Sequence, residues 1–106
     1  MQLSVEVNNS SEAAVLVCRG QILQGEESDY LFALATRPDQ RDVVLDVGEV
    51  SEIDDAGLLS IVLCYQLLSA DKRRLFLRNP SADFLAGLRR QETAALLERS
   101  KWAASA

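Results

Sequence analysis

Three aspartates, Asp46, Asp54 and Asp55, lie within ten residues of one another. Carboxylates grouped in this way are the usual material of a cation site or an acid–base pair. The surrounding sequence argues against each of these uses. Glycoside hydrolysis needs two acids flanking a cleft, and a chain of 106 residues with one modest core gives no sign of one. The chain has no histidine, which removes Ser-His-Asp, Cys-His and His-metal arrangements together. The two cysteines, Cys18 and Cys64, lie inside the apolar runs Val15–Cys18 and Ile61–Cys64 and read as buried reduced thiols. No phosphate-cradling glycine-rich loop is present. The acids therefore read as helix caps and solubilising charges, and no catalysis, metal or cofactor is expected.

Charge is unevenly placed. Residues 37–57 carry seven acids against Arg37 and Arg41, whereas residues 72–90 carry six bases against Asp83 alone. Such a pattern is either two solvated faces or a field that orients a partner protein. The net charge of −5 argues against nucleic acid as that partner. No apolar run approaches the ~20 residues of a membrane helix, so direct membrane insertion is not expected. The N-terminus lacks the basic and apolar segments of a signal peptide, and the cytoplasm is the expected location.

The elements that must position these side chains follow from periodicity. Leu3, Val5 and Val7 alternate with polar residues, giving a strand with one wet face. Asn8-Asn9-Ser10-Ser11 reads as a turn and Ala13–Cys18 as a more buried strand paired antiparallel to the first. Arg19-Gly20-Gln21 breaks that pattern. Residues 26–37 fit a helix with acids at its start and Pro38 at its stop. Val43–Val47 reads as a central, largely parallel strand, and Gly48–Ile53 as a loop. A helix over about 55–70 is apolar nearly all round and is expected to be sandwiched within the domain. Leu75–Leu77 gives a fourth strand, and Ser81 an N-cap for a helix carrying Phe84, Leu85 and Leu88. Residues 92–101 read as a last helix, with Leu96, Leu97 and Trp102 packing back. The order ββαβαβαα implies an α/β domain, a mixed sheet of about four strands with helices packed on it.

The informative stretch joins the third strand to the apolar helix. Its residues Ile53-Asp54-Asp55-Ala56-Gly57-Leu58-Leu59 form a helix N-terminus whose first amides lack internal partners. Asp54 or Asp55 can cap them. A loop at the carboxyl end of a central strand is also where α/β domains place functional surface.

With Val43-Val44-Leu45-Asp46-Val47 ahead of it, this stretch resembles the signature of STAS domains, the anti-sigma-factor antagonists and the related domain of sulfate transporters. The likeness extends to Leu75-Phe76-Leu77-Arg78-Asn79-Pro80-Ser81 and to Cys18-Arg19-Gly20-Gln21-Ile22, and weaker parallels carry it across roughly residues 2–100. It implies one STAS-like domain over residues 1–102, with residues 103–106 a frayed tail. It further implies a non-catalytic docking module whose partner is an anti-sigma factor, a serine kinase or a similar regulatory protein. Gly20, Gln21, Ile22, Asp54, Asp55, Ala56, Gly57 and Leu58 would then form the partner-binding surface. In the family a serine just before the glycine is phosphorylated to break docking. Here that position is Ala56, which has no hydroxyl to accept phosphate. Asp55 precedes it by one position and reads as a helix cap in preference to a phosphate mimic, and Ser51 and Ser60 read as structural.

The resemblance leaves a second use open, as an accessory subunit of an ABC-type phospholipid transport system. An acidic loop and a basic Lys72–Arg74 patch would then meet a transporter ATPase permanently. The three aspartates also invite comparison with response-regulator receivers, but the first strand ends in Asn8-Asn9 and no fifth strand bearing a lysine is visible. A homodimer through the edge of the first strand is a further possibility.

Overall fold

A computed structural model describes residues 1–95, and side chains as far as Gln91. Its elements are β1 (Leu3–Asn9), β2 (Ala13–Ile22), α1 (Glu26–Ala35), β3 (Asp42–Ile53), α2 (Asp55–Ala70), β4 (Leu75–Arg78) and α3 (Ala82–Ala95). The described strands form one sheet in the order β1-β2-β3-β4. β1 pairs antiparallel with β2, and β2–β3 and β3–β4 are parallel. The expected mixed α/β architecture is present. The β1–β2 turn is closed by Ser10, whose Oγ accepts from the amides of Glu12 and Ala13.

The alternation of β1 sets the layers. Leu3, Val5 and Val7 join Leu16 and Cys18 of β2, Val43, Leu45 and Val47 of β3, and Leu75 and Leu77 of β4 in one hydrophobic cluster. Leu31 and Ala35 of α1, Ile61, Val62 and Leu68 of α2, and Phe84 and Leu88 of α3 pack into the same cluster. The described helices thus lie on one face of the sheet. Each large side chain buried there contributes about 1.5–3 kcal/mol.

Four expectations need correction. The first is β2, which does not stop at Cys18 but continues through Arg19-Gly20-Gln21 to Ile22. The second is Gly48–Ile53, which is not a loop but the second half of β3. These two segments pair with each other, as in Gly20↔Val50 and Ile22↔Ile53, across register shifts that place extra residues on β3. Main-chain pairing tolerates the polar residues that made both stretches look irregular.

The third is α2, which is not sandwiched. Its inner face is fully buried, but Leu59, Leu63 and Leu67 are 39%, 42% and 51% exposed. Residues four apart share a helix face, so these leucines form an apolar stripe on the outside. The fourth is α3, which runs unbroken through Glu92 to Ala95, so no new helix begins there. The rest of the expected last helix, with Leu96, Leu97 and Trp102, and the 103–106 tail lie outside the described residues. Ser81 caps α3 as expected, its Oγ accepting from the Phe84 amide at 3.0 Å.

The charge blocks resolve in part into local pairs. Arg41 closes on Asp39, and this guanidinium holds the Asp39 carboxyl well below the usual carboxylate range. Arg74 pairs with Asp42 at 2.9 Å and lies over the Phe76 ring. Arg19 joins Glu6 to Glu49. Arg73 is buried, donating to the carbonyls of Arg41 and Arg37, so Lys72–Arg74 is not a continuous basic patch. No described helix is long and apolar enough to cross a membrane.

Candidate functional site

The residues singled out at Gly20–Ile22 and Asp54–Leu58 meet at the carboxyl ends of β2 and β3. Asp54 is the N-cap of α2, with extended φ and ψ of −97° and 178°. Its Oδ1 accepts from the Gly57 amide at 2.8 Å, satisfying one of the helix's first N–H groups. Its Oδ2 accepts from the Gln24 amide at 2.9 Å. One carboxylate therefore fixes both the start of α2 and the loop that leaves β2. Asp55 is the first helical residue, exposed and well placed for the helix dipole. Of the two candidate caps, the capping role falls to Asp54.

Two glycines permit the close approach. A Cβ at Gly57 would lie 2.2 Å from the Ile22 carbonyl oxygen and 2.8 Å from Ile53 Cγ1. Gly20 adopts φ +107°, and a Cβ there would lie 2.2 Å from the Gln2 carbonyl oxygen. That same oxygen accepts from the Gln21 amide at 2.8 Å. Gln21 Nε2 donates to Glu52 and Ser51 Oγ donates to the Gly20 carbonyl, fastening β2 to β3 across the surface.

Exposure divides the candidates by role. Asp55 is exposed, and Gly20, Gln21, Asp54 and Ala56 are partly so. Ile22, Gly57 and Leu58 are buried. These three shape the surface from beneath. Two neighbours were not singled out from sequence. Gln24 takes part through its backbone, which leaves no side-chain signal. Leu59 is exposed in the first turns of α2, but within a helix apolar nearly all round nothing marks it as the outward residue.

Asp46 lies eight residues along β3 from Asp54, on the order of 25 Å in an extended strand, and it accepts from the Gly48 amide and Asn79 Nδ2. The three aspartates do not converge, and among the described residues no group of three or more metal-binding side chains exists. Cys18 and Cys64 are free and buried, and burial pushes both thiols up to about 12.

No known family's sequence profile matches the chain, and no curated protein sequence matches it. Solved structures do. The unphosphorylated anti-sigma factor antagonist SpoIIAA superposes with a TM-score of 0.69 at 18% identity, over 81% of this chain and 82% of that one. The crystal structure of Mglu gives 0.66 at 26% identity, over 73% of this chain, and murine Slc26a9, an anion transporter, gives 0.72 at 15% identity over 93%. This chain spans only a fifth or less of those two proteins, 20% and 17%. A STAS domain from Rhodobacter sphaeroides, an antisigma-factor antagonist, matches with a TM-score of 0.55 at 13% identity. Together with the paired β2–β3 ends and the Asp54-capped helix, these likenesses identify the fold as that of a STAS domain.

Proposed function

We propose that the chain is a non-catalytic docking module that binds a regulatory protein, in the manner of an anti-sigma-factor antagonist, through the surface around the start of α2. The observation that carries this reading is the double hydrogen bond of Asp54, which ties the loop after β2, at Gln24, to the first turn of α2, where Asp55 and Leu59 are exposed. A rigid, mixed polar and apolar surface of this kind suits protein recognition. Ala56 carries no hydroxyl, so docking is not switched by phosphate at that position.

A second reading is an accessory subunit of a transport system, bound to an ATPase. Ala56 favours it, because a permanent complex has no need of a phosphorylatable residue. The absence of a continuous basic patch at Lys72–Arg74 weakens the part assigned to those residues.

The test is affinity capture from the source organism with mass spectrometry, using the natural chain and an Asp55→Lys, Leu59→Asp variant. A sigma-regulatory protein or kinase retained by the natural chain and lost by the variant supports the first reading. A transporter ATPase with the same dependence selects the second. A partner held equally by both chains removes the proposed surface.

A further inference from the structure

β3 is three times as long as β4, twelve residues against four, and their last paired residues are Asp46 and Arg78. At Asn79, in the left-handed region at φ 57°, the chain turns away from β3. Pro80, with no N–H to donate, follows it. Among the described residues no backbone hydrogen bond joins residues 49–53 to residues 79–84. Among the described residues, half of β3 therefore has β2 on one side and an open edge on the other. Alternate main-chain N–H and C=O groups along such an edge lack a strand partner.

A cleft of about 410 Å³ lies beside this edge. Val50, Ile53, Leu58 and Phe84 supply its apolar lining, and Glu52 and Asp83 its carboxylates. Arg90 adds one positive charge. Asp83 and Phe84, in the first turn of α3, form the opposite wall of this cleft. A second copy of this chain is disfavoured by charge, since each would bring its own Glu52 and Asp83 to the contact.

We propose that the open edge of β3 at residues 49–53 binds an extended segment of another polypeptide as an added strand, with an apolar side chain seated against Val50 and Ile53, over the buried Leu58 and Phe84, and a basic one beside Glu52 and Asp83. Strand addition takes its affinity from main-chain hydrogen bonds and its specificity from pockets for alternate side chains. Both are present here. The site adjoins the surface at the start of α2, sharing Leu58 and linked to it by the Gln21–Glu52 hydrogen bond, but the edge and cleft do not require that surface to dock a partner.

The test uses the purified full chain and random linear peptides displayed on phage. Enriched sequences are made as synthetic peptides, and their site is read by hydrogen exchange. The expected result is added amide protection within residues 49–53 and at least tenfold weaker binding when alternate peptide nitrogens are methylated. The double variant Glu52→Lys, Asp83→Lys, at exposed positions, should retain its fold by circular dichroism and bind basic peptides at least fivefold more weakly. No enrichment, protection confined to β1 or α2, or unchanged binding of the methylated peptide would each overturn the proposal. Loss of the partner in the capture experiment above bears only on the α2 surface.

Discussion

The carbonyl oxygen of Ile22 lies 2.2 Å from where a Cβ on Gly57 would sit. No real side chain tolerates that distance, and the oxygen belongs to backbone that is itself held in the sheet by the Ile22↔Ile53 pairing. Glycine at position 57 is thus needed for packing, because the first turn of α2 rests directly on the end of β2.

Gly57→Ala should therefore destabilise the fold despite alanine's better helix propensity. Propensity favours the change by up to ~1 kcal/mol, while forcing a methyl into packed backbone costs about 1–3 kcal/mol or more. The expected outcome is a net loss measurable by urea denaturation. A stabilised variant would show that α2 can shift away from β2 at little cost.

Asp54→Ala removes a cap and a loop anchor together. Loss of an N-cap side chain costs about 0.5–2 kcal/mol, and the Gln24 amide loses its acceptor as well. The variant should be less stable by that order, and the Gln24 amide should exchange faster with solvent. Asp55→Ala removes only an exposed charge near the helix dipole and should cost well under ~1 kcal/mol. The contrast between neighbouring aspartates separates capping from charge.

How much of this was legible in the sequence depended on what holds each segment. The bounds of α2 were readable because an aspartate precedes a long apolar run. The face it buries was not, because hydrophobic period cannot orient a helix that is apolar on every side. The outer half of β3 was misread as a loop, since Gly48, Glu49, Ser51 and Glu52 carry no strand pattern. What holds them extended is pairing to an equally polar stretch of β2, a non-local cause. At the site the motif residues were visible, but burial of Ile22, Gly57 and Leu58 appears only once β2 and α2 are brought together.

The exposed stripe on α2 has a direct test. Leu63 is 42% exposed, whereas Ile61, two residues earlier, is fully buried. Leu63→Lys should change stability by no more than ~0.5 kcal/mol, as for other surface positions. Ile61→Ala should cost about 2–5 kcal/mol through lost contacts and the cavity left behind. Chemical denaturation of the two variants would measure both. If Leu63→Lys proved as costly as Ile61→Ala, that face of α2 would have to be covered in solution.

Burial raises the Cys18 and Cys64 thiols to about 12, with Asp46 adding to the effect at Cys18. In the unfolded chain a thiol ionises near ~8.5. Between those values the unfolded state has lost protons that the native state keeps, so stability falls as pH rises. The contribution is fully present below about pH 8.5 and disappears as pH approaches the native value. Native protein should resist a thiol reagent at pH 8 and react at both sites on unfolding. The double variant Cys18→Ala, Cys64→Ala should be less stable at pH 7 yet lose stability less steeply between about pH 8.5 and 11. An unchanged slope would mean that the native thiols ionise as readily as those of the open chain, which their burial does not allow.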